Sequence, residues 1–323
     1  MKNMFLKFLK IFIIIVCNFF LFLVLAETYC FCSDVLYNAK VNHPNWQKAS
    51  IIEKSSYLKH NYKYSWLEHK NFDETYQMIK EEGLRKPIGL DYKKKPILLM
   101  GCSFAWGYDL DEKDTLGFKL SKQTQRPLYN RAYQFWWGLQ TMYYQSLLED
   151  FYKEVPEPEY VIYVFMDDHA GRALSSVIEP FYQYPHLRYV INKDKLEREK
   201  FAFVYNLFFF KKIARIIANR HYDENHLRII NKFFIETKKE FDKHWKNYKF
   251  VILLYDTGES SDNIVNGAKI KELNEQGFIV LSTKDLLGRY LNQKEDVIWD
   301  DCHPSAKVWT ELTPKIIKRL NIN

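Results

Sequence analysis

Cysteine is scarce, with five residues in 323, at positions 17, 30, 32, 102 and 302. They are too few and too scattered for a disulfide scaffold, and no set of them has the paired spacing of zinc ligands. The chain therefore points to no metal and no cofactor. Internal repeats and low-complexity tracts are missing as well, which excludes repeat architectures. Charge of one sign is not in large excess: 47 basic side chains stand against 40 acidic ones, a formal net charge of +7. With 47% apolar and 27% charged residues, the composition excludes a disordered, collagen-like or multi-span membrane chain. The length suits one large domain or two small ones. Aromatics are plentiful at 17%, with 24 Phe and 23 Tyr. An AT-rich coding bias accounts for this abundance; selection for sugar-stacking or lipid-facing rings is the alternative.

Only one long apolar run exists. Lys2, Lys7 and Lys10 precede an uncharged stretch from Ile11 to Ala26, which closes at Glu27. Residues 1–32 read as a membrane anchor or signal segment, with Thr28 to Cys32 extending a run that is short against the ~20 residues of a span. Bulky Phe near its end favours an uncleaved transmembrane anchor; Val24-Leu25-Ala26 as a cleavage site is the alternative, giving a secreted protein. Lysines on the N-terminal flank favour a cytoplasmic N-terminus and place the remainder outside the cytoplasm. For an exported chain nucleic acid is not an expected partner.

Residues 33–93 are polar, aromatic and irregular, with a helical stretch near Asp73 to Glu82, and read as an extension packed on the main domain. From residue 94 onward the pattern changes. Short apolar runs, Pro96 to Gly101, Pro127 to Ala132, Tyr160 to Met166, Phe250 to Tyr255 and Phe278 to Leu281, suit strands buried on both faces. Helical periodicity fills the intervals, notably Trp137 to Tyr152 and Ser305 to Leu320. Alternating strand and helix predicts an α/β fold, a three-layer parallel sheet over 94–323. Lys200 to Lys249 reads as an inserted pair of long helices with 12 basic against 5 acidic residues, so the rest of the chain is formally neutral. Two readings stand for this insertion: a helix pair with one buried and one solvated side, or a surface that faces an anionic membrane or polymer.

Gly101-Cys102-Ser103-Phe104-Ala105-Trp106-Gly107 follows the first strand directly, so Ser103 falls at the carboxyl end of a central strand, where α/β sheets place active sites. Flanking glycines allow a tight turn, and a following helix N-terminus helps a serine act as nucleophile with its own N–H in the oxyanion hole. Near the other end stands Asp300-Asp301-Cys302-His303-Pro304-Ser305. A carboxylate three residues before a histidine can reach its Nδ1 and leave Nε2 to take the serine proton. Asp300 has that spacing; Asp301 reads as solvated or capping.

These two blocks resemble the first and last blocks of the SGNH hydrolase superfamily, the GDSL-type lipases and esterases, over about residues 95–323. The resemblance implies a flavodoxin-like sheet, with Ser103 as nucleophile, His303 as general base and acid, and Asp300 as its orienting partner. It implies acyl-ester hydrolysis or acyl transfer through an acyl-serine, on an acylated small molecule, saccharide or lipid. Gly138, following Asn130-Arg131-Ala132, resembles the oxyanion glycine displaced by a few positions, and Asp168 falls nearest the family's oxyanion asparagine, with Asp167 beside it. An ionised aspartate there opposes a developing oxyanion unless it is protonated, turned away or replaced. Arg172 one turn on neutralises either aspartate, and an ion pair of structural kind is the competing account. Asn130 and Trp106 are substrate-binding candidates, and Trp106, Trp136 and Trp137 suit sugar stacking or, equally, core packing. Cys102 and Cys302 adjoin the proposed nucleophile and base; buried thiols are the default and a bracing disulfide the alternative. The sequence thus carries two functional readings, a membrane-tethered serine esterase or O-acyltransferase and a noncatalytic envelope-binding module on the same fold.

Overall fold

The computed structural model describes residues 84–133, 138–166, 169, 189–192, 195–198, 224–258, 273–298 and 303–322, with 16, 18–26, 28 and 29 near the N-terminus. Contacts divide the chain into two compact units, Met1–Asn71 with Val177–Pro185 and Lys200–Asn219, and Phe72–Ser176 with His186–Glu199 and Arg220–Asn323. In the first, residues 18–26 are helical, and Phe19, Phe20, Leu21, Phe22, Val24 and Leu25 are all exposed. Among the described residues no helix is long and apolar enough to cross a membrane.

The second unit carries the sheet. Its elements run β1 (Ile97–Gly101), α1 (Ser103–Trp106), α2 (Leu116–Thr124), β2 (Leu128–Asn130), α3 (Gly138–Ser146), α4 (Glu149–Glu154), β3 (Tyr160–Phe165), the hairpin β4 (Tyr189–Asn192) and β5 (Lys195–Arg198), α5 (Glu224–His244), β6 (Lys249–Leu254), β7 (Phe278–Ser282), α6 (Thr283–Leu287) and α7 (Ala306–Leu320). Five strands pair in the order β2-β1-β3-β6-β7, all parallel, with Leu99 opposite Asn130 on one side and Ile162 on the other. Strand order reverses between β1 and β3, and it is outside the carboxyl ends at such a reversal that open α/β sheets bind ligands.

Burial on both faces explains the continuous apolar runs. Leu98, Met100, Val161, Tyr163, Phe250 and Ile252 face one core with α3, α4 and α5, while Ile97, Leu99, Ile162, Val164, Val251 and Leu253 face the other with α2 and α7. Alternate residues of each strand thus fill opposite layers, as the period of two requires, and the sheet lies between two sets of helices.

Two features differ from the sequence reading. The helix expected over 137–152 is two helices: Leu147 and Leu148 donate to Tyr144 and Gln145 in a tightened last turn, and Leu148 is extended. Glu149 and Asp150 then start α4, where acidic side chains suit the exposed N–H groups. The β4–β5 hairpin was not anticipated. Of the 200–249 insertion, α5 is described and 200–223 lies outside the described residues; Ile230, Phe233, Phe234 and Phe241 of α5 are buried against the sheet. Lysines on its outer side pair along the helix, half-buried Lys238 with Asp242 at 2.8 Å and exposed Lys239 with Glu236 at 2.9 Å. The apolar side of α5 is therefore core, the first of the two readings for this part of the insertion. The Asp73 to Glu82 helix lies outside the described residues.

Candidate active site

Gly101 ends β1 with φ +140°, and a Cβ there would sit 2.9 Å from the Val164 carbonyl of β3. Only glycine lets the chain leave the sheet at this point. Cys102 follows in extended conformation, and Ser103 is the first residue of α1, buried at the carboxyl end of β1. The helix is a single turn. It offers N–H groups but almost no macrodipole, which differs from the assistance expected of a following helix. Gly107 closes it in the left-handed region (φ 87°), and both Gly107 and Tyr108 donate to the Ser103 carbonyl, at 2.9 and 3.0 Å.

His303 arrives from 200 residues away, its Nε2 2.7 Å from Ser103 Oγ. Two rings fix its plane: Tyr108 at 4.5 Å between centroids and Phe104 at 5.2 Å. The backbone around it is closed by a short antiparallel bridge, Val297 with Pro304, and by Ile298 N–H donating to the His303 carbonyl. Asp296 anchors this segment. Its carboxylate is fully buried, takes both arms of the Arg289 fork at 2.7 and 2.8 Å and accepts from Gln293 N–H at 3.0 Å, while its carbonyl accepts from Ser305 N–H. Burial alone would raise the Asp296 pKa; the Arg289 fork and the Gln293 N–H outweigh it and hold the carboxyl below its ordinary range.

Asn130, at the end of β2, is 2% exposed, with its amide donating to the Ala105 carbonyl at 3.0 Å and accepting from Ala132 N–H at 3.1 Å. It ties α1 to the turn after β2. Trp106 is half-buried, and one face of its indole carries the Arg85 guanidinium at 4.3 Å. Gly138 starts α3 and is buried; a Cβ there would lie 2.5 Å from the Tyr163 hydroxyl and 2.8 Å from His169 Nε2. His169, fully buried, has its Nδ1 3.0 Å from that hydroxyl. Cys102 is buried and its S–H meets Met166 Sδ at 3.6 Å, while Cys302, the other half of the bracing disulfide considered above, lies outside the described residues.

Asp300, Asp301 and Cys302, and likewise Asp167, Asp168, Arg172, Trp136 and Trp137, lie outside the described residues. Among the described residues no cluster of His, Cys, Asp and Glu is placed to hold a metal. The sequence reading missed Tyr108, Phe104, His169, Tyr163, Asp296 and Arg85. Phe104 and Tyr108 stand within five residues of Ser103, a proximity that was legible. The others match no motif: Tyr163 meets His169 and Asp296 meets Arg289 within one short stretch each, and Arg85 holds a carbonyl 21 residues on.

No protein-family model matches the chain, and no curated protein matches it. Solved structures do. One is an acetyl xylan esterase from the rumen bacterium Butyrivibrio proteoclasticus, 11% identical, with a TM-score of 0.45 over 71% of this chain; the chain spans 63% of that protein's length. Another is a psychrotrophic esterase from a Pseudoalteromonas species, 12% identical, with a TM-score of 0.40 over 71% of this chain and 100% of that one.

Proposed function

We propose that the protein is a serine ester hydrolase or O-acyltransferase of the SGNH type on a flavodoxin-like sheet, exported and held at the membrane by its N-terminal helix, with its α/β domain outside the cytoplasm. The observation that carries this reading is the 2.7 Å approach of His303 Nε2 to Ser103 Oγ at the carboxyl end of β1. That distance lies within the reach a general base needs.

In this mechanism Ser103 Oγ attacks the ester carbonyl as His303 Nε2 takes its proton. The C–O bond forms, and the carbonyl electron pair moves onto oxygen. The tetrahedral centre collapses, the leaving alkoxide takes the proton from His303, and an acyl-serine remains. Water attacks it in hydrolysis, or an acceptor hydroxyl in transfer, again giving its proton to His303. Asp300 is the carboxylate assigned to orient His303. Gly138 N–H and the residue at Asp168 are the oxyanion donors the resemblance suggests, beside the N–H of Ser103 itself. Substrates of this reading are acyl or acetyl esters of an envelope saccharide or lipid, and no metal or cofactor enters a step. For the anchor, the support is the basic flank Lys2, Lys7 and Lys10 and the exposed Phe19 to Phe22, Val24 and Leu25, an apolar helical surface suited to lipid.

Labelling with a fluorophosphonate ester tests the chemistry. The wild type should be labelled at Ser103 and Ser103→Ala should not. A wild type that shows no Ser103-dependent labelling refutes the enzyme and leaves the noncatalytic envelope-binding module.

A further inference from the structure

Arg85 lies upstream of every sheet strand and takes no part in the chemistry above, yet its side chain is extensively engaged with the turn that follows Ser103. Its Nε donates to the Trp106 carbonyl at 2.6 Å, and its Nη2 to the carbonyls of Gly107 at 2.8 Å and Leu110 at 3.2 Å. Nη1 meets Glu112 at 2.7 Å, and the guanidinium plane rests on the Trp106 ring. The side chain is 13% exposed. A planar fork with five N–H donors suits such a set of acceptors, and a lysine does not reproduce it.

The turn so held contains two left-handed residues, Gly107 at φ 87° and Asp109 at φ 53°. For a residue other than glycine this conformation carries a cost, so the turn needs outside contacts to keep one shape. Between the two stands Tyr108, which touches both halves of the proposed dyad. Its N–H donates to the Ser103 carbonyl at 3.0 Å, and its ring lies 4.5 Å from the imidazole of His303 at 32° between planes. Arg85 therefore acts on one rigid turn whose shape sets both the end of the Ser103 helix and the orientation of His303.

We propose that Arg85 is a positioning residue for the Ser103–His303 pair: by clamping residues 106–110 it holds the Tyr108 ring against His303 and keeps Nε2 aimed at Ser103 Oγ. This rests on the reading of Ser103 as nucleophile and His303 as base. A clamp that serves folding alone would lower stability and leave the reactivity of the folded protein unchanged.

The test measures second-order fluorophosphonate labelling of the full chain, at a temperature well below each variant's melting point, for wild type, Arg85→Lys, Arg85→Ala, Tyr108→Ala and the Arg85→Lys/Tyr108→Ala double variant. Arg85→Lys should stay folded and label roughly tenfold more slowly, within the range that small misplacements of reacting groups produce. Methylguanidinium added to Arg85→Ala should restore labelling in part and do nothing for Ser103→Ala. Losses from Arg85→Lys and Tyr108→Ala should be less than additive in the double variant, since both act through one turn. If Arg85→Ala does not fold, Arg85→Lys and its double variant decide. Wild-type rates in Arg85→Lys, or fully additive losses with Tyr108→Ala, overturn the positioning role alone. Absence of Ser103-dependent labelling in the wild type overturns the reading of the site, and the role built on it.

Discussion

Replacing Asp296 by asparagine keeps the shape of the side chain and removes its charge at the point where the His303 segment is anchored. The carboxylate is fully buried and takes two charge-assisted bonds from Arg289, at 2.7 and 2.8 Å, and one from Gln293 N–H. An asparagine keeps one acceptor and turns an amide N–H₂ toward the guanidinium. Breaking a buried pair costs about 3–5 kcal/mol. Arg289 retains Glu311 at 3.2 Å, which argues for the lower end, about 3 kcal/mol. For a domain of this size that corresponds to a melting temperature lower by roughly 6–12 °C. The pH dependence has a definite sign. Because the folded carboxyl sits below its ordinary range, its stabilisation is fully present above the unfolded value of about 3.9 and is lost as pH falls through the lower folded value. Wild type and Asp296→Asn should therefore differ by a constant amount from about pH 7 to pH 5, and converge as the pH drops below about 4. Urea denaturation across that range measures it. Since Ser305 N–H and Ile298 N–H close the same segment around His303, labelling of Ser103 should slow in parallel. An unchanged midpoint at pH 7, or a difference that persists below the folded titration, refutes the anchoring role.

Four further outcomes are expected. His303→Ala, with Ser103 intact, should label about 10²- to 10⁴-fold more slowly, the usual contribution of a general base, and equal rates would remove His303 from the chemistry. Gly138→Ala places a methyl group 2.5 Å from the Tyr163 hydroxyl and 2.8 Å from His169; overpacking of this kind should cost about 1–3 kcal/mol in denaturation experiments. Trp309→Ala empties the centre of the α7 side of the core, where Trp309 is fully buried, and should cost about 3–5 kcal/mol. Glu157 is held down to about 2 by the backbone N–H of Asn247, by Lys95 and by the N–H of Lys246, so Glu157→Gln should lose stability at neutral pH and match the wild type below about pH 2.

Strands and layers were legible because both-face burial forces the runs 97–101, 160–165 and 250–254 to be free of charged residues, and no surface helix or half-exposed strand has that composition. The Ser103 and His303 blocks were legible for a related reason. Turn glycines, a serine and a histidine occupy short local patterns in loops that the topology brings together, with Nε2 of one 2.7 Å from Oγ of the other. Asn130 suits substrate binding by residue type, and only the packing of α1 against the turn after β2 shows its amide donating to the Ala105 carbonyl and accepting from Ala132 N–H.

What the sequence by itself determined is therefore the alternation of strand and helix and the identity of the two residues that meet, since both follow from periodicities and motifs a few residues long. The tertiary structure decided how they are held. Arg85 reaches across 21 residues to the Trp106 carbonyl, Arg289 and Asp296 pin the segment that carries His303, and Tyr108 meets His303 from the turn after Ser103. Contacts of this kind depend on how the backbone turns and packs, and a lone arginine or tyrosine in a polar stretch carries no local signal of the partner that folding will bring to it.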